Sequence, residues 1–136
     1  MNKYINTTLI FAGVWFIAAL INGLLSGISI IVLDTTANAN IGTLGLSVIF
    51  SFVFSAPLVG LVWFIALMVQ LSDKKGNELF QFILGTAFIC AVAAGLIFFY
   101  TLGTEFMKAR FVVALSIIVS ALAAILVFRK QIKTNE

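Results

Sequence analysis

The placement of charge constrains this chain more than any other feature. Charged residues occur only at Lys3, at Asp34, within 73–78, within 105–110 and within 129–136. Between them lie four charge-free stretches, 4–33, 35–72, 79–104 and 111–128. An α-helix rises about 1.5 Å per residue and a bilayer's hydrocarbon core is about 30 Å thick, so about 20 apolar residues cross it. Three stretches exceed that length, and the last, with 18 residues, meets the lower end of the range.

Composition points the same way. Hydrophobic residues make up 62% of the 136 residues, against about 45–50% in soluble proteins. A soluble chain of this size has too little interior to hide that surface. The expected fold is an all-α, four-helix transmembrane bundle, antiparallel and up-down. A single integral membrane domain is expected over 1–136, with helices at about 9–33, 44–71, 78–102 and 111–128.

The first helix holds 15 Leu, Ile, Phe or Val residues in 9–33. At roughly −0.3 to −0.6 kcal/mol each, its insertion is favoured by several kcal/mol. A cleaved signal would have a shorter apolar run behind a stronger basic start than Lys3 alone. Segment Asp34–Thr43 (DTTANANIGT) reads as a polar loop. Ser72–Asn77 reads as a tight turn, with Asn77 as N-cap of the third helix. Gly103 is expected to stop that helix, Thr104 and Glu105 to cap the next segment, and Phe106–Arg110 to form an interfacial turn. The tail RKQIKTNE is expected to fray.

Lys and Arg in short loops set orientation. With both termini cytoplasmic, the inner side holds Lys3, Lys74, Lys75, Arg129, Lys130 and Lys133, and the outer side Lys108 and Arg110. Both termini are therefore expected inside, in a plasma membrane (the inner membrane, if the cell is bacterial). Tyr4 and Tyr100 sit near opposite span ends, as interfacial aromatics do. Asn6-Thr7-Thr8 matches a glycosylation sequon but falls on the inner side, against the membrane.

Each helix carries a stripe of small or weakly polar residues. The first has Asn22 and Ser26, the second Ser47, Ser51 and Ser55, the third Thr86 with Cys90, and the fourth Ser116 and Ser120. Spacings of four place each set on one face. In lipid, close backbone approach and interhelical hydrogen bonds hold helices together, and such residues permit both. The other reading is a hydrated path lined by Ser, Thr and Asn22. Asn22, the most polar side chain deep in a span, needs a partner: Ser51, Ser120, a copy of itself, or a ligand. Pro57 removes an amide donor and frees the Val53 carbonyl, with Gly60 three residues on, so a static kink or a hinge is expected there. Gln70 lies near the inner end of its helix, within reach of the headgroups. Val14–Ala18 and Val62–Ala66 are both VWFIA, which reads as shared lipid anchoring, coincidence, or an inverted repeat.

Missing residues exclude much chemistry. Apart from Glu78 at the very start of the third, no Asp, Glu, Lys, Arg or His lies in an expected span, so proton relays and counter-ions of the usual kind are absent there. The chain has no His and one Cys, Cys90. This removes His-ligated haem, His metal sites, His general bases and a dithiol centre. No carboxylate cluster for Mg²⁺ and no glycine-rich phosphate loop occur. The eight basic residues are too scattered for a nucleic-acid face. No cofactor, no metal and no enzyme activity are expected. The primary expectation is an accessory, assembly or anchoring subunit that binds other membrane proteins or itself. The alternative is a small channel or transporter for an uncharged or weakly coordinated solute, lined by Asn22 and the second-helix serines.

Overall fold

A computed structural model describes residues 2–33, 41–74, 76–101 and 110–134. Among these residues the chain is helical without strands: α1 (Lys3–Leu33), α2 (Ile41–Leu71), α3 (Asn77–Thr101), α4 (Arg110–Val127) and α5 (Arg129–Thr134). Three helices, α1, α2 and α3, are long and apolar enough to cross a membrane, and Phe111–Val127 of α4 is a shorter apolar helix. The chain thus has the helices of a multi-pass membrane protein.

Three boundaries differ from the sequence reading. α1 begins at Lys3, six residues before Leu9, because Asn2 Oδ1 accepts the Tyr4 backbone N–H at 2.8 Å and starts the helix there. α2 begins at Ile41, inside the segment read as a loop. The tail does not fray: it forms α5, whose Ile132 is buried among the helices. Arg129 and Lys133 both lie over the Phe80 ring, 5.5 and 5.3 Å from its centre, and hold α5 against α3. The 34–40 loop, Lys75, the Gly103 stop with its Thr104 and Glu105 caps, and the 106–109 turn lie outside the described residues.

The helices pack in a ring. α1 meets α2 and α4, and α3 meets α4 and, least extensively of these four seams, α2. Small residues set the close seams. A Cβ added at Gly23 would lie 2.6 Å from the Val48 Cα, and one at Gly95 would lie 3.1 Å from the Ala114 carbonyl oxygen. Ala18, Ala19, Ala87, Ala91, Ala94 and Ala124 are buried between helices, while Phe16, Phe50, Phe54, Phe64, Phe82 and Phe88 point outward. This is the arrangement lipid demands, because burying apolar surface there yields little and backbone proximity yields more.

Gly23→Ala is expected to lower thermal stability by about 1–3 kcal/mol, because the added methyl meets backbone that cannot yield. Gly60→Ala is expected to leave it unchanged or raise it by up to about 1 kcal/mol, since a Cβ at Gly60 meets nothing within 4 Å. Thermal melts of both variants in one detergent test the contrast.

Candidate functional site

Asn22 is the hub of a polar cluster in the apolar interior. Its Nδ2 donates to Ser51 Oγ of α2 at 3.0 Å. Its Oδ1 lies 2.9 Å from Ser116 Oγ of α4 and 3.3 Å from Ser26 Oγ one turn along α1. The Ser26 and Ser116 hydroxyls are 2.9 Å apart, and Ser116 Oγ is 2.7 Å from the Val113 carbonyl. One hydroxyl proton cannot serve all three acceptors around Ser116. The same atomic positions admit the carboxamide turned by 180°. The amide hydrogens then go to Ser116 and Ser26, Ser51 donates to the amide oxygen, Ser116 to Val113, and Ser26 to Ser116. Every polar hydrogen of the cluster then has an acceptor, so the network closes on itself and ties α1, α2 and α4 together.

The other polar residues singled out from the sequence surround this hub or stand apart. Ser47 donates to the Gly23 carbonyl at 3.0 Å, and Ser55 to the Phe52 carbonyl at 3.4 Å. Ser120 is buried but bonds its own helix, at the Ile117 carbonyl, 3.1 Å away. Thr86 is half-buried on α3 and takes no part in the cluster. α2 runs unbroken through Pro57, which faces outward, and Gly60 is half-buried. The Trp15 indole reaches across from α1 and donates to the Phe52 carbonyl at 3.0 Å.

Two cavities meet at the hub. The larger, about 430 Å³, is lined by Asn22, Ser26, Ser47, Ser51 and Ser55 together with apolar side chains that include Phe50, Phe54 and Phe98. The smaller, about 70 Å³, continues along the bundle axis past Leu58 and Ile117 to Ser120. Leu46, Phe50 and Phe54 line the larger space and are also exposed on the outer surface, so it is a cleft that opens sideways at the loose α2–α3 seam. Phe54 of α2 meets Phe98 of α3 edge-on across that seam, with ring centres 5.8 Å apart.

Gln70 departs from the sequence reading. It does not reach toward headgroups but is 2% exposed, packed against Thr7 of α1. Thr7 Oγ1 lies 2.8 Å from its Oε1 and 2.9 Å from the Lys3 carbonyl. Gln70 Nε2 has no partner. Turning this amide exchanges which atom is orphaned but does not remove the orphan. Its place near the inner end of the second helix suggested a headgroup position.

The two VWFIA copies are equivalent in space as well as in sequence. Val14, Ala18, Val62 and Ala66 are buried, while Phe16 and Phe64 face out. Each tryptophan crosses to the other helix, Trp15 to the Phe52 carbonyl and Trp63 to Thr8 Oγ1 at 3.0 Å. Adding 48 to a residue number in the first copy gives its counterpart in the second. The same offset relates Asn22 to Gln70, and each of these amides bonds a hydroxyl of the other helix. α1 and α2 pair antiparallel, and each sends one indole and one amide to the other.

Comparison of the chain with protein-family models, with curated proteins and with solved structures gave no match.

The two amides predict opposite mutational effects. Asn22→Leu is expected to cost about 1–2 kcal/mol, because it strands Ser51 and the Ser26–Ser116 pair. Gln70→Leu is expected to be neutral or stabilising, because it removes a buried group that is already unsatisfied and leaves Thr7 its bond to the Lys3 carbonyl. Chemical or thermal unfolding in matched detergent reads both.

Proposed function

We propose that the chain is a non-catalytic membrane component with four spans and both termini cytoplasmic, serving as an accessory or anchoring subunit that binds another membrane protein or a second copy of itself. The observation that carries this reading is the uncovered state of α2. Only 11% of its most apolar window is buried, against 28% for α1 and for α3. Gly45 and Gly60 of α2 and Gly85 of α3 have nothing within 4 Å of where a Cβ would stand. Small residues left open on a lipid-facing surface admit the close approach of another helix. The four spans and the orientation rest on the charge-bounded stretches and on the excess of Lys and Arg at the end that holds both termini.

Purification in native detergent with mass spectrometry tests the association. Gly60→Leu and Gly85→Leu are expected to release the partner or shift the oligomer toward monomer. A wild-type protein that is a monodisperse monomer with no retained partner overturns the reading. Orientation is tested by single cysteines at positions 40, 76 and 105 in a Cys90→Ser background. Reagent added outside intact cells is expected to label Asn40→Cys and Glu105→Cys but not Gly76→Cys, and the reverse pattern inverts the assignment.

A second reading, a small transporter or channel for an uncharged solute, is favoured by the cleft that reaches Asn22. Among the described residues its lining contains no ionisable side chain, which disfavours a charged cargo. Liposomes holding pure protein are expected to pass a small neutral solute such as glycerol or urea, with loss of flux on Ser51→Leu.

A further inference from the structure

The large cleft has a hydrogen-bonding character that its residues make specific. It is lined by three serines of one α2 face, Ser47, Ser51 and Ser55, beside Asn22 and Ser26. Their protons are committed inward. Ser47 gives its proton to the Gly23 carbonyl and Ser55 gives its proton to the Phe52 carbonyl. Ser51 gives its proton to the Asn22 carboxamide in the arrangement that satisfies every hydrogen of the cluster. Ser51 is also more than nine-tenths buried. The Ser47 and Ser51 oxygens therefore retain lone pairs while their protons are engaged, and Ser55, 3.4 Å from the Phe52 carbonyl, completes the row. An occupant that fits this row donates a hydrogen bond.

Charge and shape narrow the occupant further. An ammonium or metal ion would meet no anionic partner among the described lining residues, at a large desolvation cost. A neutral donor avoids that cost. A space of about 430 Å³ lies within the size range of sites for small organic molecules. Its remaining walls are apolar, with Phe50 and Phe54 stacked at 5.8 Å and Phe98 closing the seam edge-on. Leu46, Phe50 and Phe54 of its lining are exposed on the outer surface, so an occupant can enter from the membrane and leave its apolar body between α2 and α3.

Resting on the second reading above, we infer that the cleft binds a neutral lipid alcohol, with its hydroxyl donating to the serine row of α2 and its chain passing out to the lipid beside Leu46 and Phe50. Free diacylglycerol and long-chain isoprenoid alcohols share this chemistry, a single hydroxyl on an apolar body.

The test uses the full chain in nanodiscs of phosphatidylcholine, titrated with 1,2-dioleoylglycerol, with geranylgeraniol, and with the methyl ether of each. Retained ligand is counted by native mass spectrometry. One or both alcohols are expected to bind saturably, which also identifies the source. The matching ether, which keeps the body but cannot donate, is expected to bind about tenfold more weakly. Ser47→Ala with Ser55→Ala should erase the difference between alcohol and ether while the protein's melting temperature stays near wild type. Leu46→Trp, at an exposed residue of the cleft mouth, should block both ligands without unfolding the protein.

Equal binding of alcohol and ether by the wild type, or no saturable binding of either alcohol, overturns the assignment. Loss of a co-purifying protein on Leu46→Trp, without alcohol binding to the wild type, overturns it in favour of a helix in the cleft. Solute flux in liposomes separates the two claims. Flux of glycerol or urea without alcohol binding overturns the ligand and keeps the transport reading. Alcohol binding without flux keeps the ligand and removes transport.

Discussion

A carboxamide inside an apolar bundle must find hydrogen-bond partners, and the positions of three helices answer to that need at Asn22. Leaving such a group unpaired costs about 1–3 kcal/mol, more than a typical interhelical contact returns. Ser51, Ser26 and Ser116 meet it, so α1 is fixed against α2 on one side and against α4 on the other. α3 is outside this network. It is held by close packing, chiefly against α4, where Gly95 lets the Ala114 carbonyl approach. The bundle is thus tied on three sides and loose on the fourth. The lateral cleft is the space left where polar cross-linking ends.

The relation between α1 and α2 adds a second level of order. Two indoles cross in opposite directions, and two amides seek hydroxyls on the opposite helix. The environments of the two amides nonetheless differ. Asn22 adjoins open space and closes its network, whereas Gln70 is buried and leaves its Nε2 without a partner. Ser116 of α4 reaches Asn22, and among the described residues Gln70 has only Thr7 of α1.

Much of this was legible from charge alone. Apolar runs bounded by charged residues place α1 to α4, because a helix that crosses lipid can hold little else. The Asn22–Ser51 bond was among the partners open to Asn22, since both residues stand mid-span on small-residue faces. The α4 partner is Ser116 and not Ser120, one turn away, a choice set by axial register that one sequence does not encode visibly. The VWFIA copies were visible as letters. Their equivalence depends on which face of each helix turns inward, and the low amphipathicity of lipid-facing helices hides that. α5 escaped because its anchor is one apolar residue, Ile132, in an otherwise polar tail.

The reciprocal tryptophan contacts bear on how the chain is made. Trp15, Thr8, Phe52 and Trp63 all belong to the first 71 residues, so both cross-links are complete before any of α3 has been synthesised. The most extensive seam of the bundle therefore requires nothing from the later helices. As the ribosome extends the chain, α1 and α2 can enter the bilayer as one hairpin with its own internal fastening. α4 joins that hairpin through Ser116, and α3 joins chiefly through its packing on α4. The open flank of the molecule coincides with the join between the part that fastens itself and the part that is added to it.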